Sequence, residues 1–130
     1  MRLASARGSK MISLALVGRS ILVVEEEPHV SRQLVDHFRR AGATVFTAGK
    51  LRDALYMAEH PALSAAVLNV RMGSDNTAHV CRRLTHLGVP FMFHTRFDAT
   101  EASQRWPDAP VVSKPADWAD VVDTVARLLH

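Results

Sequence analysis

The chain has 130 residues, 48% of them hydrophobic and 22% charged, which suits one folded domain with one core and excludes a disordered chain. The net charge of +3 resides in Arg2, Arg7 and Lys10; residues 11–130 balance 13 basic against 13 acidic side chains, and no predicted helix has the dense basic face of a nucleic-acid reader. No apolar run approaches the roughly 20 residues of a membrane span, and the single Cys81 excludes an internal disulfide or a cysteine metal cluster, as expected for a cytoplasmic protein.

Residues 1–10, with small side chains, Gly8 and Ser9, read as flexible, and Ile12 to Val17 as an extra turn or strand. The domain division expected is an N-terminal extension over 1–18 and a folded domain over 19–130. The stretch from Met11 to Val24 is a poor signal peptide, because Gly18, Arg19 and Ser20 interrupt it and three glutamates follow. Ile21-Leu22-Val23-Val24 is the first firm strand, and it stops at Glu25-Glu26-Glu27. Pro28 suits the first turn of a helix, whose stripe is Val30, Leu34, Phe38 and Ala41, widened by Val35 and ended by Gly42. Thr44 to Thr47 is the second strand; Leu51, Ala54, Leu55 and Ala58 mark the second helix.

Ala65-Ala66-Val67-Leu68-Asn69-Val70 is apolar without alternation until its polar end, the pattern of a parallel strand covered on both faces. The segment from Arg71 to Asn76 reads as a turn, in which Ser74, Asp75 or Asn76 caps a helix with the stripe Val80, Leu84 and Leu87, ended by Gly88. Pro90 leads into a fourth strand, Phe91 to His94, and a short helix is expected between Thr100 and Trp106. Val111-Val112 is the fifth strand. After Ser113-Lys114-Pro115 comes a helix burying Trp118, Val121, Val122, Val125, Leu128 and Leu129.

Five strands alternating with five helices imply an α/β fold: a doubly wound parallel sheet with helices on both faces, for which the flavodoxin-like order 2-1-3-4-5 is size-matched. Strand three then lies at the centre. The carboxyl ends of strands one, three, four and five bring Glu25, Glu26, Asn69, Thr95 and Lys114 to one mouth, where such sheets bind ligands. Two acids there can hold a hard divalent cation. With a lysine and a hydroxyl, that cation can offset the charge on a transferring phosphoryl group. An aspartate at 69 could attack phosphorus; an asparagine has no anionic oxygen to do so. The Glu-Glu-Glu-Pro turn after strand one is not a phosphate-cradling glycine loop, which weakens a nucleotide or flavin site.

Over residues 20–130 the chain resembles a response-regulator receiver domain of two-component phosphorelay signalling, the CheY-like form of this fold. The resemblance rests on Ile21 to Glu27, Leu68-Asn69-Val70-Arg71-Met72, Phe93-His94-Thr95 and Val112-Ser113-Lys114-Pro115. It implies that Asn69 occupies the phosphoacceptor position, normally aspartate. Thr95 would match the switch hydroxyl, Lys114 the phosphate-pairing lysine, and the bond to Pro115 one that is often cis. It further implies a weak Mg²⁺ site on Glu25, Glu26 and the backbone carbonyl of Arg71, with Asn69 as a further candidate and no cofactor required. The longer acids Glu25 and Glu26 either shift the cation position or cross the pocket toward Lys114; Lys114 is expected to bond the Asn69 carbonyl oxygen or to pair with Glu26, and Glu27 to face solvent. The chain departs from the pattern at Asn69, in having glutamates for an aspartate-containing pair, and at Val111, where a switch aromatic is usual.

The expected function is therefore that of an atypical receiver module, not an enzyme, acting by protein–protein interaction without conventional aspartyl phosphorylation. Its partners would be a histidine kinase, a histidine phosphotransfer protein, another receiver or a second copy of itself, with neither nucleic acid nor membrane. Two alternatives stand beside it. One is a single-domain phosphoacceptor receiver whose native or ancestral form has Asp at 69. The other is a metal-assisted phosphatase or small-ligand-binding flavodoxin-like protein. His94 is expected to be structural or exposed, Cys81 small and buried or on a helix surface, and Trp118 a packing residue or a partner anchor.

Overall fold

In the computed structural model, residues 14–130 are described. The elements in chain order are β1 (Ser20–Val24), α1 (Pro28–Arg40), β2 (Thr44–Ala48), α2 (Leu51–Met57), β3 (Ala65–Leu68), β4 (Arg71–Met72), β5 (Asp75–Asn76), α3 (Ala78–His86), β6 (Phe91–Thr95), α4 (Ala99–Arg105), β7 (Val111–Ser113) and α5 (Trp118–Leu128). Five strands pair in the order β2-β1-β3-β6-β7, all parallel. This is the expected 2-1-3-4-5 topology, because β4 and β5 form a separate antiparallel pair outside the sheet.

Each strand side is covered by a different set of helices, so the sheet divides the core in two. One half joins Leu22, Val24, Ala66, Leu68 and Phe93 to the apolar stripes of α2, α3 and α4. The other joins Ile21, Val23, Val67 and Met92 to Leu34 and Phe38 of α1 and to Val121 and Val125 of α5. Alternate residues of one strand thus enter opposite halves, which is why β3 is apolar throughout and buried at all four positions.

The flexibility expected of residues 1–10 falls outside the described residues, as do Ile12 and Ser13. Residues 14–17 turn, with Val17 N–H bonded to the Leu14 carbonyl at 3.2 Å. Leu16 is fully buried in the α1/α5 half of the core, and its N–H donates to Ala41 at 3.0 Å. Gly42 ends α1 with φ of +95°, as its position after the stripe suggests.

Three local expectations are corrected. Residues 71–76 are a small hairpin, with Met72 opposite Asp75 across Gly73-Ser74, rather than a plain turn. The N-cap of α3 is Thr77, although the Asn76 side-chain oxygen does accept from Ala78 N–H at 3.0 Å. Leu87 lies beyond the last turn of α3 and is 42% exposed, while Cys81 takes the inward place and is fully buried.

Candidate functional site

The carboxyl ends of β1, β3, β6 and β7 open into a cleft of about 230 Å³. Its lining includes Glu26, Glu27, Asn69, Thr95 and Lys114, so the sequence-predicted residues do meet there. Glu25 lies beneath, with its N–H bonded to the Ala48 carbonyl at 3.0 Å, which prolongs the β1–β2 ladder by one residue. This fixes its side chain inward, and Glu25 is only 4% exposed.

Lys114 Nζ donates to Glu25 Oε1 at 2.7 Å, with both side chains buried. A second, longer contact runs from Nζ to Glu27 Oε1 at 3.4 Å. Of the acids expected to cross toward Lys114 it is Glu25 that pairs with it, with Glu27 as a second contact, and neither Asn69 nor Glu26 does so. Glu27 faces solvent as expected, its side chain 51% exposed. The reason is geometric: Glu25 continues the strand and faces the lysine directly, whereas Glu26 points to the other side, toward Gly73. The peptide bond from Lys114 to Pro115 is cis, in line with the resemblance.

Asn69 is half-buried at the end of β3. Its N–H donates to the Val24 carbonyl at 3.2 Å, and its side-chain Oδ1 accepts from Val70 N–H at 2.9 Å. Thr77 Oγ1 donates to the Asn69 carbonyl at 2.8 Å, tying the strand end to the start of α3. The amide is therefore a well-anchored strand terminus. It offers its NH₂ and one remaining lone pair to the cleft, and no nucleophilic oxygen.

Thr95 lies at the end of β6, is 1% exposed, and its hydroxyl finds no hydrogen-bond partner among the described residues. A buried polar group left unpaired is costly and marks a place where a ligand atom or a moved side chain would be favourable. Position 111, where a switch aromatic is usual, holds the partly buried Val111.

For a divalent cation the donor set is poor. Glu25 spends Oε1 on Lys114 and Oε2 on the N–H of Glu27, at 3.1 Å. Of the acids lining the cleft, Glu27 contacts Lys114 and Asp98 lies near Arg71, which leaves Glu26 without a cationic partner among the described residues, while Asn69 Oδ1 keeps one lone pair. Among the described residues no group of three or more His, Cys, Asp or Glu side chains is placed to hold a metal ion. The arrangement does not fit the two-acid site that the resemblance implies.

Two further side chains shape this mouth, and a third, His94, lies buried behind it. Arg71 reaches across the cleft to Glu101 at 2.8 Å and Asp98 at 3.7 Å, binding the β4–β5 hairpin to the start of α4. Phe97, in the loop after β6, is 87% exposed. His94 is 2% exposed on the α1/α5 side of β6, and neither ring nitrogen has a partner among the described residues. Its ring meets the edge of Trp118 at 6.0 Å, and Trp118 in turn packs near His37 at 6.1 Å. Burial, then the nearby charges of Lys114 and Arg96, lower its pKa to about 4. A signal for its burial existed: β6 is central, so a residue between Phe93 and Thr95 must enter the opposite half of the core.

No family model and no curated protein matches this chain. Solved structures do. The response regulator receiver protein from Sinorhizobium medicae WSM419 is 20% identical, with a TM-score of 0.80, over 86% of this chain and 94% of that one. The non-phosphorylated HemR receiver domain from Leptospira biflexa is 20% identical, with a TM-score of 0.76, over 85% and 94%. The receiver domain of the hybrid histidine kinase CckA is 23% identical, with a TM-score of 0.70, over 85% and 99%. The chain has the fold of response regulator receiver domains. Its cleft lies at the strand ends where the sequence resemblance places the receiver site.

Proposed function

We propose that this chain is a receiver module of two-component signalling that acts by binding another protein and is not itself phosphorylated on residue 69. The observation that carries the proposal is the pairing of Lys114 with Glu25 at 2.7 Å beneath an asparagine strand end. A phosphoacceptor needs a carboxylate nucleophile and a lysine free to meet the incoming charge. Here the first is an amide and the second is already neutralised by a buried partner. The scaffold that would present a signalling surface is retained, while the chemistry that would gate it is replaced by fixed contacts.

In this role the protein is not an enzyme, needs no cofactor, and binds Mg²⁺ weakly through Glu26, Asn69 and the Arg71 carbonyl. Its partner is a histidine kinase, a histidine phosphotransfer protein, another receiver or a second copy. The CckA receiver domain is described as part of a hybrid histidine kinase, which supports that class of partner by analogy of fold. The test is incubation with acetyl phosphate and Mg²⁺ followed by intact mass measurement. No phosphoryl adduct is expected; a stoichiometric adduct at neutral pH would overturn the proposal. Restoring the acid with Asn69→Asp, and probing with beryllofluoride, is expected to recover only weak binding, since Glu25 still holds Lys114.

A further inference from the structure

The cleft accounts for one end of β6; the other end opens on a second hollow. Thr95 closes the strand at the cleft, whereas Phe91, its first residue, lines a pocket of about 530 Å³ with Val89, Trp106, Ala109 and Leu128. Two helix ends create it. Gly88, with φ of +73°, stops the chain after α3, and α4 has only seven residues before Trp106 leaves the helix and Pro107 prevents its resumption. Both helices therefore fall short of the first residues of β6. Trp106 packs edge-on against Phe91, with ring centres 5.7 Å apart, and forms an aromatic wall.

The rim of this pocket carries one cation, Arg105. Its guanidinium makes no hydrogen bond or ion pair among the described residues. Arg83 on α3, by contrast, is held by Glu59. One acid, Asp108, also lines the pocket. The volume is in the range of small-molecule sites, which join an apolar lining to a few placed polar groups.

We propose that this pocket is a binding site for a small amphipathic carboxylic acid, its apolar body against Phe91 and Trp106 and its carboxylate on Arg105. A carboxylate can take both forks of an unpaired guanidinium. A neutral ligand of the same shape leaves Arg105 unused. The site is independent of residue 69 and of the receiver proposal.

The experiment titrates 1-naphthoate into the full chain and follows the two indole N–H signals by nuclear magnetic resonance, with Trp106 assigned from Trp106→Phe. 1-Naphthalenemethanol is the neutral control. A saturable shift of Trp106 without Trp118 is expected, with the acid binding about threefold or more tighter than the alcohol, the scale of a partly exposed charge pair. Arg105→Gln is expected to remove that difference while leaving the alcohol's affinity in place, and Ala109→Leu to weaken both probes by filling the pocket. Equal affinity for acid and alcohol would overturn the proposal, as would no saturation at millimolar probe. A concentration-dependent shift of Trp106 without any probe would also overturn it, by showing that a second copy covers the pocket.

Discussion

Lys114 and Glu25 bring opposite charges to 2.7 Å with side chains only 4% and 2% exposed. Such a pair contributes little net stability when whole, because desolvation consumes most of the attraction, yet breaking it leaves one buried charge alone. Lys114→Met is therefore expected to cost about 3–5 kcal/mol in urea unfolding, whereas Lys114→Met combined with Glu25→Leu should recover most of that loss. An equal loss in the double variant would mean that packing, not charge, sets the cost. His94 carries the same physics on the other side of β6. Its folded pKa is depressed to about 4 by burial, with Lys114 and Arg96 adding to the effect, from an ordinary value of 6.5. Between these values the unfolded chain binds more protons than the folded one, so stability falls as pH drops from about 6.5 toward 4. Denaturation midpoints at pH 7 and pH 5 are expected to differ less in His94→Phe than in the wild type; an unchanged difference would assign the acid sensitivity elsewhere.

The helices and strands that frame the site follow from local patterns, and their failures are local too. Gly42 closes α1 at φ of +95°, and a Cβ there would meet Val17 Cγ2 at 2.5 Å. Gly18 has a similar φ of +78°, but a Cβ there would meet nothing within 4 Å. Gly18→Ala is thus expected to cost the backbone penalty alone, about 1 kcal/mol, and Gly42→Ala distinctly more, because the turn carrying the buried Leu16 must also shift. Comparable losses in thermal unfolding would show that this turn gives way freely. The β4–β5 hairpin was legible in principle, since a two-residue Gly-Ser connection is a hairpin signal. A loop is the commoner structure after a central parallel strand, and two residues per strand are too few to show alternation. Leu87 keeps the spacing of the α3 stripe but lies past the end of the helix at His86, so its side chain is exposed. The choice of Glu25 rather than Glu26 as the partner of Lys114 depends on one further ladder bond after β1, and the Arg71 bridge joins residues 30 apart in the chain, which no periodic pattern encodes.

At the scale of the whole molecule, the site and its surroundings are held by contacts that need no ligand. Lys114 ties the β7 end to β1, Thr77 ties β3 to α3, and Arg71 ties the hairpin to α4. In a receiver gated by phosphorylation, Mg²⁺ and the phosphoryl group supply such ties and so shift a population between two states, as any ligand must do through differential affinity. Here both Glu25 oxygens are already engaged, one by the Lys114 cation and one by the Glu27 N–H, so the folded state should gain little from a metal ion. Binding stabilises by RT ln(1 + [L]/Kd), so a cation present at its own Kd adds only about 0.4 kcal/mol. For a chain of this size that is about 1–2 °C in Tm. Chelation with EDTA, or addition of millimolar Mg²⁺, is expected to move Tm by no more than this. Lys114→Met should change the outcome: it frees Glu25 Oε1 and removes the competing cation, so Mg²⁺ should then raise the variant's Tm by several degrees relative to EDTA. A wild type that already responds to Mg²⁺ as strongly as the variant would mean that the Glu25–Lys114 pair yields to the metal, and that this cleft remains a cation site.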